Sequence, residues 1–573
     1  MAAPTYHDLL EKTREQPMFQ DLLRFLYEFA WIHNFVTTRF FVDEVWRHMP
    51  QEWRDVLLAL TAEELNHLPF EFHQERAHFP PSLKRFLQMS HKLSLIRDQV
   101  NILGKKAVDP NLKRGMSPKK LHEVTNMSAV VMETASKAGC DVIVDIGSGL
   151  GYLGQVLHKC YGYSVVGVEG CDGHVERAEK RGAKQDLQDG CIHNVTFNLQ
   201  QTGEHLNVFH DKVSKALRSL KPCVHSQTAV QNPCQVDSKL KSERDTRCQA
   251  GVSPQDENPN LDNKYSGMEV CQRIYRGRNI CLCNDVSDNT ARTVVNASGM
   301  CPGGNESTQT SPNLPKNDIR QEYPGGEAET SHVPVAALSS EERRVCMIGL
   351  HCCGDLTPTM LWYFLHMSSV RALCLVSCCY HKMSFDEDTS QFNSFPLSEN
   401  CREAYADMKR QHPGWSLHPV SLRLAAQETR SRWKAQTETD HDTHVRHVAY
   451  RGILEAFFME AEVGQLDRKV IRKADFSSFD AFSTSIVTGL DVSNEVRAEY
   501  LRHLQELHTR HVQHFCYVEV MTCLQVLVQP VLETLLQLDR HTYLTDHGVA
   551  AQLVPIFQEN VSPRNIALIA NKQ

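Results

Sequence analysis

The chain has 573 residues, a net charge of −8, a pI near 6.4 and 41% hydrophobic residues. That length admits roughly three or four domains, and the acidic balance excludes a global basic field, so any nucleic-acid binding has to use local patches. Twenty cysteines without a secretory leader pattern at the N-terminus, and no apolar run that reads as a membrane span, predict a soluble cytoplasmic or nuclear protein with free thiols.

Residues 1–100 place Phe19, Leu22, Leu23, Leu26, Phe29, Ala30, Val42, Val45 and Trp46 at three- and four-residue steps, which predicts an N-terminal helical domain. Basic pairs follow at Lys105-Lys106, Lys113-Arg114 and Lys119-Lys120, ahead of His122 and Glu123. They read either as a solvated linker or as a set in which Lys119 or Lys120 binds a cofactor carboxylate or a substrate phosphate.

Residues 101–220 carry the most informative pattern. Asp141-Val-Ile-Val-Asp145-Ile is a buried strand running into Gly147, Ser148, Gly149, Gly151 and Gly154, and a helix with Leu153, Val156, Leu157 and Cys160 stops at Gly162. A second strand, Tyr163–Val168, ends in Glu169 and Gly170, the distance at which an acid meets ribose hydroxyls of an adenosine. The glycine spacing also suits a dinucleotide. Asp145, at the mouth where a pyrophosphate would sit, repels phosphate and favours the cationic S-adenosylmethionine. A third strand at Asn194–Asn198 and a helix over Glu204–Leu220 complete this half.

Residues 221–343 lose apolar periodicity and read as a disordered insertion. Order returns in residues 344–400 with strand Val345–Leu350, then His351-Cys-Cys-Gly-Asp355, a helix over Thr357–Ser368, strand Ala372–Ser377 and Cys378-Cys379-Tyr380-His381-Lys382. In a doubly wound sheet both segments deliver polar residues to the carboxyl edge, so His351, Asp355, Tyr380 and His381 are expected to converge there. Either a His or Asp takes a proton from the acceptor, or one of Cys352, Cys353, Cys378 and Cys379 attacks a pyrimidine as a thiolate. Zinc is disfavoured because successive strand side chains point to opposite faces, so no metal is expected. Residues 401–545 predict a helical insertion with the basic pairs Arg468-Lys469 and Arg472-Lys473 and an apolar helix over Tyr517–Leu538; residues 546–573 predict a closing β-hairpin across Asn560–Asn565.

Taken together, Gly115-Met-Ser-Pro-Lys-Lys-Leu-His-Glu-Val124, Val144-Asp-Ile-Gly-Ser-Gly-Leu-Gly151, Gly349-Leu-His-Cys-Cys-Gly-Asp-Leu356, Ser377-Cys-Cys-Tyr380, Leu538-Asp-Arg-His-Thr-Tyr-Leu544 and Leu553-Val-Pro-Ile-Phe through Ser562-Pro-Arg-Asn565 resemble the methyltransferase-like protein 25 family. The resemblance implies an α/β, Rossmann-like class I methyltransferase sheet, S-adenosylmethionine as cofactor and methyl transfer as activity. That family has been likened to ribosomal RNA adenine dimethylases, but no Asn-Pro-Pro-Tyr-type motif follows the fourth strand, which speaks against methylation of an adenine amine. The His-Cys-Cys-Gly and Cys-Cys-Tyr-His elements are similar to those of the transfer-RNA ribose methyltransferase 13 type, with His351 and His381 at matching positions.

On this reading Lys120, Asp145, Gly147, Ser148, Gly149, Gly151, Glu169 and Gly170 surround the cofactor. His351, Asp355, Cys379, Tyr380 and His381 face the acceptor. RNA is the favoured substrate, with protein as the enzymatic alternative and a cofactor-binding scaffold without turnover as the non-enzymatic one.

Overall fold

The central strands form because β-branched runs need cover on both faces. All five residues of β1 (Val142–Ile146) are buried, as a parallel strand between two helical layers requires. In the computed structural model, which describes residues 18–71, 76–185, 187, 190–220, 343–427, 429–464 and 466–572, β1 lies at the centre of a seven-stranded sheet. The expected disordered insertion lies outside the described residues except for its last position. The described residues fall in one unit, Met1–Asp237 with Glu342–Gln573.

Beside β1 run β2 (Ser164–Glu169), β3 (Ile192–Thr196), β4 (Val345–Cys353) and β5 (Val370–Cys378), all parallel. A separate small hairpin joins β6 (Phe385–Asp386) to β7 (Gln391–Phe392). The closing hairpin, β8 (Ala550–Pro555) and β9 (Ile566–Asn571), adds to β5 through an antiparallel β5–β9 pairing. The order β3-β2-β1-β4-β5-β9-β8 reverses between β1 and β4, which sets the switch point beside the glycine loop.

After α1 (Phe19–Glu28), which belongs to the N-terminal helical region, helices cover both faces of the sheet. On one face, Ile143, Val165, Ile348 and Val376 share a core with α2 (Pro118–Lys137) and α3 (Tyr152–Tyr161), while α4 (Asp172–Ala183) packs beside β2 and β3. On the other, Val144, Val166, Met347 and Leu375 pack with α5 (Gly203–Ser219) and α6 (Leu356–His366). Alternation of neighbouring strand residues between these two cores follows from the period-two geometry of a strand. Ser117 starts α2, its Oγ accepting from the N–H of Lys120, with Pro118 in the first turn.

The N-terminal stripe is buried, and its partner is the other helical region. Leu22, Leu26, Trp53 and Phe86 share one apolar cluster with Ile453, Phe482, Leu524 and Leu535. At the middle of that cluster runs α7 (Cys516–Asp546), which begins one residue before the expected helix and ends eight residues after it. This is the one described helix long and apolar enough to cross a membrane by length and composition, but 89% of its apolar window is buried inside the fold.

A buried polar knot ties this helical core to the sheet. Glu533 of α7 binds Arg97 and also pairs with Arg564 at 3.2 Å. The hydroxyl of Tyr380 donates to Glu533 Oε1 at 2.8 Å and accepts from Gln537 Nε2 at 2.9 Å. Removing a carboxylate that balances two buried guanidinium groups leaves both uncompensated. Glu533→Ala is therefore expected to lower unfolding free energy by about 3–5 kcal/mol, measured from the urea midpoint. A loss below about 1 kcal/mol would mean that water compensates the arginines instead.

Candidate active site at the carboxyl edge of the sheet

Beyond β1 the chain turns through Gly147, Gly149 and Gly151 at φ of 69°, 57° and 72°, angles that suit residues without a Cβ. A Cβ on Gly149 would meet no heavy atom within 4 Å, so the space over that peptide is open to a ligand. The Gly149 N–H donates to Glu169 Oε2 at 2.9 Å, which fastens the loop to the end of β2. Ser148 lies close over β2: a Cβ at Gly167 would come within 3.0 Å of its Oγ. Gly170 is exposed beyond Glu169, with only Asn198 Oδ1, at 3.9 Å, near its Cβ position. A cavity of about 250 Å³ between α3 and α4 is lined by Asp145, Ser148, Gly151 and Gln155; Gly149, Glu169 and Gly170 do not line it.

The charge at the mouth is arranged differently from expectation. Asp145 is only 3% exposed. Burial first, and the Glu169 carboxylate second, push its carboxyl up to about 7, while Lys120 opposes them. The second carboxylate, Glu169, is half-buried and also meets His174 Nδ1 at 3.4 Å. Asp145 thus lines the cavity as a buried acid, and Glu169 fastens the glycine loop outside that lining.

Lys120 links this corner to a second cluster. Its Nζ lies 3.3 Å from Glu123 Oε2, that of Lys119 lies 3.4 Å from Glu123 Oε1, and the Ser562 hydroxyl donates to Glu123 Oε1 at 2.8 Å. His351 Nε2 meets Glu123 Oε2 at 3.0 Å. Burial works against ionisation of Glu123, yet His351, then Lys120 and Lys119, hold its carboxyl well below the usual carboxylate range. An ionised carboxylate only accepts, so His351 Nε2 carries the shared hydrogen. His351 stands at φ 67° beside an irregularity of β4 between Leu350 and Cys352, inside the strand and not in a loop after it. Glu123 was not among the expected site residues. Its signal was the Lys119, Lys120, Glu123 spacing, which puts one acid under two lysines in the first turns of α2.

Two expected acceptor-side residues are committed elsewhere. Asp355 Oδ2 accepts from the Ser384 N–H at 2.8 Å and from the Ser384 hydroxyl at 2.6 Å, and Oδ1 accepts from Ser394. It anchors the β6–β7 segment, with both oxygens already accepting hydrogen bonds. Tyr380 points into the protein, fully buried on Glu533, and burial pushes its phenol well above the ordinary value. His381 is half-buried on the turn Tyr380–Lys382. Cys379 has φ 31°, which takes it off the strand path, and its sulfur joins those of Cys353 and Cys378 within 4.8 Å of one another. The opposite-face rule that disfavoured a thiol cluster holds for Cys352 and Cys353 but fails at Cys379.

Residues 119–386 match the family described as a methyltransferase domain. The chain is 25% identical to human probable methyltransferase-like protein 25, over 97% of this chain and 96% of that one. With the mouse protein of the same name it is 26% identical, over 100% and 97%. A crystal structure of coclaurine N-methyltransferase with N-methylheliamine and SAH aligns at a TM-score of 0.14 and 15% identity, over 28% of this chain and 50% of that one, too low an overlap to argue from. The chain thus carries a methyltransferase domain, and its resemblance to the methyltransferase-like protein 25 family extends over nearly the full length of both proteins.

Proposed function

We propose that this chain transfers a methyl group from S-adenosylmethionine to a nucleophile deprotonated at His351, with RNA as the acceptor class. The observation that carries the proposal is the ionised Glu123 holding His351 next to Lys120, whose charge is also felt at Asp145. The residues present fit the cofactor: open space over Gly149, Glu169 at the end of β2 to accept from ribose hydroxyls, and Lys119 and Lys120 to meet a carboxylate. When bound, S-adenosylmethionine supplies an electrophilic methyl group. Glu123 fixes the tautomer and direction of His351, and His351 Nδ1 takes the proton from a hydroxyl or ring nitrogen as it attacks. Exposed Lys105, Lys106, Lys113, Arg114 and Lys119 gather before and at the start of α2, a local basic patch that supports RNA over protein.

His351→Asn and Glu123→Gln are expected to lower kcat by about 10²–10⁴-fold with cofactor affinity retained. Equal loss of cofactor binding would place the pair in the cofactor site instead. Tritiated methyl transfer into extracts lacking the protein should label RNA; label in protein alone would favour the other acceptor, and label in neither would support a scaffold.

Asp145 adds a pH dependence. Its carboxyl rises from 3.8 to about 7 on folding, so across that window the folded chain holds a proton that the unfolded chain has lost. Its contribution to stability therefore falls as pH rises through the window, and Asp145→Asn should stabilise the free protein above it, by a few kcal/mol. Cationic cofactor should bind more tightly at about pH 8 than at about pH 6, with that slope lost in Asp145→Asn. Calorimetry giving equal slopes in both proteins would remove Asp145 from the site.

A further inference from the structure

We propose that Cys353, Cys378 and Cys379 form a binding site for a soft divalent metal ion of the zinc class, with one coordination position left open at the carboxyl edge of the sheet. The three sulfurs lie within 4.8 Å of one another. Cys353 and Cys378 are register partners at the ends of β4 and β5, with Sγ atoms 3.1 Å apart. Tetrahedral coordination with Zn–S bonds of about 2.3 Å spaces sulfurs about 3.8 Å apart, so this pair opens slightly on loading while the third sulfur is already in reach.

The backbone around the cluster is shaped to bring in that third sulfur. Cys379 adopts φ 31°, uncommon for a residue with a Cβ, and this breaks the strand alternation that would have aimed it away from Cys378. Gly354, at φ 54°, lets the following turn close down: a Cβ there would lie 2.5 Å from the Lys382 carbonyl oxygen. The two strand ends are thereby held together with the thiols between them. Cys352, by contrast, points to the other side, its sulfur 3.7 Å from Met360 Sδ in the apolar core.

Thiolates select soft ions, zinc above magnesium or calcium. Cys378 is buried, Cys353 and Cys379 are half-buried, and among the described residues no fourth His, Cys, Asp or Glu joins the group. Three protein ligands with a vacant fourth position is the arrangement of zinc sites that take water or a substrate atom. Cys353 Sγ donates to the His351 carbonyl oxygen at 3.3 Å, so the cluster adjoins the Glu123–His351 pair. On loading, each thiol that binds gives its proton to solvent. Nothing in this site depends on the identity of the methyl acceptor.

The test uses the full chain, kept reduced, stripped with chelator and titrated with Zn(II), with Co(II) as an optical probe. The expected result is one ion per chain, with a thiolate-to-Co(II) charge-transfer band and tetrahedral d–d absorption. Both should be lost in Cys353→Ser and Cys379→Ser, and retained in Cys160→Ser, whose sulfur lies on α3. Circular dichroism melts establish which variants fold. If neither cluster variant folds, the wild-type Co(II) spectrum decides alone, and absence of a thiolate band overturns the proposal. Reduced protein that binds no ion, while air-exposed protein shows a Cys353–Cys378 disulfide by mass spectrometry, also overturns it and makes the pair a redox couple.

Discussion

Sealing a carboxylate in an apolar interior costs several kcal/mol unless fixed positive charge and donors meet it from all sides. Glu533 is such a carboxylate, and its partners come from three distant stretches: Arg97 from the segment before α2, Arg564 from the turn of the closing hairpin, and Tyr380 from just after β5. These stretches cannot be misplaced without stranding a charge. The same anchor points set the geometry of the carboxyl edge of the sheet, since Tyr380 directly follows Cys379 and Ser562 lies two residues before Arg564. The helical mass assembled from both ends of the chain therefore does more than cover the sheet. It holds the exit of β5 and the entry of β9 in place.

Two buried acids show how the same chemistry meets different partners in two places. Glu533 faces guanidinium groups, which do not lose their protons, so its state is fixed. Glu123 faces an imidazole and two lysines that reach toward solvent. Its surroundings can exchange a proton or turn to a ligand. Asp145 is a third case, buried next to Glu169 with no close ion-pair partner among the described residues, and it is the acid whose protonation changes near neutrality. Asp145 and Glu123 give opposite responses to burial because Glu123 has cations in direct contact, whereas Asp145 feels Lys120 without an ion pair.

Legibility in the sequence followed distance along the chain. The strand, glycine loop, helix and second strand from Val142 to Glu169 were readable because each signal is local: β-branched runs, glycines at positive φ and an acid at a strand end. The closing hairpin was readable for the same reason. Side-chain destinations were not. Tyr380 finds its partner 153 residues away, and His351 finds Glu123 at a separation of 228, so no window of sequence reveals either. Asp355 looked poised for proton transfer until two serines of the β6–β7 segment took its oxygens. Helical periodicity showed that Leu22 and Leu26 face a core but not that the core belongs to residues beyond 400.

The hydrogen bond from Ser562 to Glu123 joins positions 439 residues apart. During synthesis the glycine loop and its strands can pair long before Ser562 has been translated, but the polar cluster around Glu123 stays unfinished until the hairpin arrives. A nascent or truncated chain lacking that hairpin would hold the glycine loop without the Ser562 contact to Glu123. Completion of the Glu123 cluster is in this way deferred until nearly all of the polypeptide has been made.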